Sequence, residues 1–201
     1  MGDFVKISIM NTQLSLLISK PIFTSKEAKA LGIHPALLSY YAKKGIIKRL
    51  SRGVYQGTEY PPSSFQWIDL IEAVCGTRSG VICLVSALAV YGLTDEIPRQ
   101  HWIGVRHGTD AVGGPQLKVI RFRNLELGKT TIELDGVTVP IFDRERTIVD
   151  AFRLLSKETA IKALKMALTQ SGQYRLDLIK LQEYAKKLRV NIDPYLITVT
   201  T

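Results

Sequence analysis

Between Thr24 and Gln56 the chain carries so many start and stop signals that only short elements fit between them. Thr24-Ser25-Lys26-Glu27 is a capping-box arrangement, in which the threonine hydroxyl accepts from the amide three residues on and the glutamate there reaches back. Ala28 and Leu31 supply the inward face of the helix that follows, and Gly32 ends it. His34-Pro35 starts another, with proline in the first position, where no amide donor is needed. Leu38 and Tyr41 or Ala42 point inward down to Gly45, a natural C-terminal stop. Upstream, Leu14, Leu17 and Ile18 fall at helical spacing within residues 11–19, before Pro21. Downstream, Ile46–Leu50 and Val54–Gln56 read as short strands around the polar turn Ser51-Arg52-Gly53. Helix, helix, turn, helix and hairpin is the order of a winged helix-turn-helix, which we place at residues 1–60. Pro61-Pro62-Ser63-Ser64 punctuates its end, and a second domain is expected over 64–201.

The charge is concentrated in the same segment. Of a net charge of +9, residues 1–57 hold +7: nine basic side chains (Lys6, Lys20, Lys26, Lys29, Lys43, Lys44, Lys48, Arg49 and Arg52) face only Asp3 and Glu27. Charge gathered in this way suggests a polyanionic partner, with nucleic acid ahead of membrane. The hydrophobic fraction of 46% and charged fraction of 22% are those of a globular chain, not of a disordered tail. The longest nearly apolar stretch, Val81–Leu93, is too short to span a bilayer. Asn11, Thr12 and Gln13 break the apolar N-terminal segment, and no small-residue cleavage site follows, which argues against a secretory signal. Cys75 and Cys83 fit neither a disulfide framework nor a zinc spacing, and read as buried thiols of a cytoplasmic protein.

An α-helix fits the major groove, and the helix after the turn is the one that enters it. Here that helix is Pro35–Lys44. Its apolar positions face inward, leaving Ala36, Ser39, Tyr40, Lys43 and Lys44 outside. The hydroxyls of Ser39 and Tyr40 can meet base edges or phosphates, and the lysines can neutralise backbone charge. The helix start at Thr24, Ser25 and Lys26 offers amides to a phosphate. Arg49, Ser51 and Arg52 are expected on the wing, where a minor-groove or phosphate contact is natural. Taken singly, each of these is an ordinary solvated surface; their conjunction within 57 residues points to double-stranded DNA. Tyr41 belongs to the core, and His34 is a helix-start residue.

The rest of the chain reads as a mixed α/β domain, making the fold class α+β. A helix over Phe65–Val74 and a mostly helical, buried Val81–Leu93 come first. Strands follow at His101–Arg106, Leu117–Phe122, Thr131–Leu134 and Val137–Ile141, the last two joined by Asp135-Gly136, a two-residue hairpin signal. A small antiparallel sheet is expected from them. Helices over Arg144–Leu155, Lys157–Ser171 and Leu176–Leu188 finish the chain. Arg146 and Asp150, four apart on one helix, can pair, while Ile148, Val149 and Phe152 form its core stripe.

The sequence resembles the AbiEi-type antitoxins of type IV toxin–antitoxin systems. The likeness runs through Phe23-Thr24 to Gly32-Ile33, Gly45-Ile46-Ile47-Lys48-Arg49, and Ser51-Arg52-Gly53-Val54-Tyr55. It continues through Ser86–Leu93, Ile97-Pro98 and Arg146–Phe152, spanning roughly residues 10 to 190. The resemblance implies a transcriptional repressor that binds operator DNA and autoregulates its operon; a second copy of the chain, pairing with it on inverted repeats, is a further candidate partner. It also implies a C-terminal domain that opposes a nucleotidyltransferase-like toxin without needing a stable complex with it. Members without a toxin neighbour exist, so the resemblance supports regulation better than neutralisation. The alternative is a solitary regulator whose C-terminal domain dimerises or senses a ligand.

Enzyme readings find little support. Gly108-Thr109-Asp110 lacks the second carboxylate of a nucleotidyltransferase, and Glu133-Leu134-Asp135 lacks the lysine of a restriction-type nuclease. Glu126 and Lys129 are spaced by three rather than two. His101 and His107 have no acidic partner for a metal, and Gly113-Gly114-Pro115 is a turn rather than a phosphate loop. No catalytic residue, metal or cofactor is expected, and no membrane association.

Overall fold

The computed structural model describes residues 13–20, 22–51, 53–57 and 66–200. Arg52 and the expected boundary at Pro61–Ser64 lie outside the described residues. The fold is α+β and divides into two units, one of residues 1–76 with 133–139, the other of 77–132 with 140–201.

In the first unit residues 13–18 are helical (α1), followed by β1 (Phe23–Thr24), α2 (Ser25–Ala30), α3 (Pro35–Lys43), β2 (Ile47–Ser51), β3 (Val54–Gly57) and α4 (Ile68–Gly76). Leu14 and Leu17 of α1, Ala28 of α2, and Leu38 and Tyr41 of α3 are buried in one cluster with Phe23, Ile33, Ile47 and Tyr55. The three strands form an antiparallel sheet in the order β1-β3-β2. β1 was not expected: two residues are too few to show a period, and its pairing of Phe23 with Tyr55 and Thr24 with Val54 is decided at long range. With strands on both sides and α4 packed against β2 and β3, every residue of β3 is buried. α1 approaches that strand so closely that a side chain at Gly57 would run into the carbonyl of Ile18. α4 starts three residues later than the expected helix and runs on to Gly76, grouping with the first unit.

The second unit holds β4 (Val81–Ile82), α5 (Leu84–Val90), β5 (His101–Arg106), β6 (Leu117–Phe122), α6 (Arg144–Leu154), α7 (Lys157–Thr169), a 3-10 turn at Gly172–Tyr174, α8 (Leu178–Leu188) and α9 (Asp193–Thr200). β7 (Lys129–Leu134) and β8 (Val137–Phe142) complete a five-stranded sheet of order β6-β5-β4-β8-β7. Its expected antiparallel character is corrected: β4 pairs antiparallel with β5, but β5–β6 and β4–β8 are parallel. Alternation along a strand carries no direction, and residues 107–116 prove long enough to bring the chain back to the same end of the sheet. The run Val81–Leu93 is also corrected. Its first two residues are a fully buried strand, which hydrophobic periodicity cannot tell from a buried helix. The turn at Asp135 (φ 46°) and Gly136 (φ 77°) has both central residues left-handed, as a tight two-residue hairpin turn requires. α8 begins two residues later than expected, and α9 was missed altogether.

α6 is the core of this unit. Asp143 caps it, accepting from the Arg146 amide at 2.8 Å, while its other oxygen takes Lys180 at 3.0 Å and the Tyr184 hydroxyl at 3.1 Å. Arg146 and Asp150, both buried, pair at 2.6 Å through Nε and Oδ2. The remaining guanidinium nitrogens donate to the carbonyls of Leu127 (2.7 Å) and Asn124 (3.2 Å), and Phe142 lies 4.5 Å away, ring centroid to guanidinium carbon. Burial pushes the Asp150 carboxyl up, while Arg146 and Arg153 pull against it. Ile148, Val149 and Phe152 are buried as the helical stripe foretold. Ser86 sits inside α5, its hydroxyl accepting from the Trp102 amide at 2.8 Å. Cys83 is buried, but Cys75 is only half-buried. Among the described residues no helix is long and apolar enough to cross a membrane.

Candidate nucleic-acid interface

α2 begins with the capping box foretold by its sequence. The Thr24 hydroxyl accepts from the Glu27 amide at 3.2 Å, and the Glu27 carboxylate accepts from the Thr24 amide at 2.8 Å and its hydroxyl at 2.9 Å. Lys20 reaches the other carboxylate oxygen at 3.0 Å. Burial alone would raise this carboxyl, but the Thr24 and Lys20 bonds together hold it below the usual carboxylate range. The Ser25 amide donates to the Gly53 carbonyl at 2.8 Å. The amides of Thr24, Ser25 and Glu27 are therefore engaged within the fold. What this end turns to solvent is the side chain of Lys26, with Ser25 half-exposed.

The connection from α2 to α3 is tight. The Ile33 amide reaches back to the Ala28 carbonyl at 2.9 Å, and Ile33 is buried beneath it. His34 then caps α3, its Nδ1 accepting from the Ala36 amide at 3.2 Å. Leu38 and Tyr41 anchor the helix in the core. Their burial fixes its rotation, so Ala36, Ser39, Tyr40, Lys43 and Lys44 are all exposed. Positions 36, 40, 43 and 44 follow one another down a single helical face, and 39 flanks it. Tyr40 is 53% exposed, its ring edge-on to Tyr41 at 5.7 Å with the Lys44 ammonium 5.9 Å away. The Ser39 hydroxyl leans on the Pro35 carbonyl at 3.4 Å, which leaves it able to accept as well.

In the hairpin, Arg49 lies opposite Tyr55 and Ser51 opposite Val54, with a shift of register between them. Strand alternation puts Arg49 on the sheet face of Ile47 and Tyr55, the face that packs on the helices. Arg49 is exposed at that sheet's edge. Lys48 takes the opposite face and acts electrostatically on Glu72 of α4, whose carboxyl is raised by burial and by Asp69 against the pull of Lys48.

Sequence reading did not foresee that the start of α2 and the hairpin turn adjoin. Besides the Ser25–Gly53 bond, a Cβ at Gly53 would lie 3.0 Å from the Ser25 hydroxyl. The link depends on β1, which has no sequence signature of its own. The local charge is one-sided as well. Glu27 is the only carboxylate between residues 13 and 57, and it is already committed to Thr24 and Lys20. Among the described residues, no group of three or more His, Cys, Asp or Glu side chains is placed to hold a metal ion.

No curated protein matches the chain. The segment that builds α1 to β3 has a counterpart all the same: residues 11–56 match the family model of transcriptional regulators described as AbiEi antitoxin, and over that segment the chain is similar to this family.

Proposed function

We propose that this chain is a DNA-binding transcriptional repressor of the AbiEi antitoxin kind. Its first unit acts as a winged helix-turn-helix on double-stranded operator DNA, with α3 in the major groove and the β2–β3 hairpin as the wing. Ser39 and Tyr40 read base edges; Lys43, Lys44 and Lys26 hold phosphates, and Arg49, Ser51 and Arg52 work from the wing. The chain binds inverted repeats as a homodimer and autoregulates its operon, and its second unit opposes a nucleotidyltransferase-like toxin in the cytoplasm. The observation that carries the reading is the outer face of α3, where two hydroxyl side chains and two lysines are exposed together with no free carboxylate nearby in the chain.

The test is a DNA titration across salt concentrations, with the wild-type chain and a Lys43/Arg49/Arg52 triple alanine variant. Each neutralised phosphate contributes a log–log slope of about −0.9, so wild type should fall steeply and the variant bind weakly with a flatter slope. Equal affinities and slopes would place the DNA site elsewhere. With toxin and antitoxin both driven from foreign promoters, the same variant should still rescue cells. Rescue only by the DNA-binding form would make the second unit an accessory to regulation.

A further inference from the structure

The second unit gathers cations around a cleft that the DNA-binding reading does not use. Arg153 near the end of α6, Lys157 at the start of α7 and Arg189 closing α8 line a cavity of about 400 Å³ with Asn191 and Tyr195. No carboxylate is among its described lining residues. The nearest buried one, Asp150, is already shared between Arg146 and Arg153. Lys157 donates to the Phe152 carbonyl at 3.2 Å. Arg153 meets Asp150 through Nη1. Both side chains keep further donors beyond these bonds.

Arg189 adds an independent observation. It ends α8 in the left-handed conformation (φ 57°, ψ 46°) that glycine or asparagine fills at least cost. An arginine there carries backbone strain, and the residue lines the cleft.

We propose that this cleft binds a small molecule carrying a multiply charged phosphate group. Two guanidinium groups offer planar forks that match phosphate oxygens in pairs, and the lysine adds a point charge. Three cations suit two or three negative charges, more than one carboxylate supplies. The volume falls in the range of small-ligand sites, roughly 300–1,000 Å³, and leaves room beside the phosphate for Asn191 and Tyr195 to meet an organic body.

Calorimetric titration of the full chain with sodium pyrophosphate and, separately, adenosine triphosphate tests this, with citrate as a carboxylate of comparable charge. Saturable binding of one phosphate probe is expected, and citrate should bind much more weakly. Pyrophosphate alone would assign the cleft to the bare phosphate group, and a preference for the nucleotide would assign it to a phosphorylated organic ligand. Arg189→Gly suits the left-handed backbone, so it should unfold no earlier than wild type while weakening the probe roughly tenfold or more. Lys157→Gln should weaken it likewise, and Arg189→Lys, which keeps the charge but not the planar fork, should recover only part of the affinity lost in Arg189→Gly. The proposal is overturned if neither probe binds in the millimolar range, if both charge-removing variants bind as wild type does, or if citrate binds equally well. It is also overturned if duplex DNA displaces the probe and Arg189→Gly weakens DNA to the same degree, which would make the cleft a nucleic-acid backbone contact.

Discussion

The amide of Ser25 donates to the carbonyl of Gly53 at 2.8 Å, tying the first residue of α2 to the turn between β2 and β3. Gly53 holds φ at 81°, and a Cβ there would press on the Ser25 hydroxyl at 3.0 Å. Gly53→Ala should therefore lose about 1–2 kcal/mol of stability in chemical denaturation and bind DNA more weakly than this loss explains. Wild-type stability in this variant would mean that the turn does not depend on a left-handed residue.

Thr24→Ala removes the capping hydroxyl of α2 and should cost about 1 kcal/mol. The same site carries a pH dependence. The Glu27 carboxyl is held below its ordinary value of 4.5 in the folded chain, so the unfolded chain takes up its proton first. Its contribution is present in full above about pH 4.5 and fades as pH falls through the lowered value. Glu27→Gln should flatten the acid limb of a stability–pH curve, and superimposable curves would show that the capping carboxylate carries none of it.

Arg146→Met leaves Asp150 buried with only Arg153, and strips the carbonyls of Leu127 and Asn124 of their donor. Losing one partner of a buried pair costs about 3–5 kcal/mol. The double variant with Asp150→Asn should recover part of that loss, because no uncompensated charge remains. A double-mutant cycle in urea measures it, and strict additivity would show that the two side chains do not depend on each other.

Ser39→Ala and Tyr40→Ala should erode discrimination between operator and random duplex by about 1–3 kcal/mol for each hydrogen bond to a base edge that they remove. Lys43→Ala and Lys44→Ala should weaken both DNAs together. Competition titrations separate the two patterns. The reverse result would assign sequence reading to the wing and leave α3 as an anchor.

Burial and the nearby Glu27 raise the Cys75 thiol to about 11. The thiolate is the reactive form, so alkylation of Cys75 should be slow at neutral pH and climb with pH toward that value, with Cys83 modified only on unfolding. Rapid modification of Cys75 at pH 7 would contradict its half-buried setting.

The features legible in the amino-acid sequence lie within one or two turns of chain. The Thr24–Glu27 cap, proline after His34, the Asp135-Gly136 turn and the Arg146–Asp150 pair all join residues one to four apart, where backbone geometry leaves the partners little choice. The exposed face of α3 was readable for the same reason, since a 3.6-residue period fixes which side chains oppose Leu38 and Tyr41. Tertiary structure alone decided the two-residue β1, the parallel pairing of β5 with β6, the meeting of Ser25 with Gly53 and the gathering of Arg153, Lys157 and Arg189 around one cleft. A short strand has no period of its own and alternation is blind to direction. Side chains on different elements meet only after a hydrophobic core has set how those elements cross.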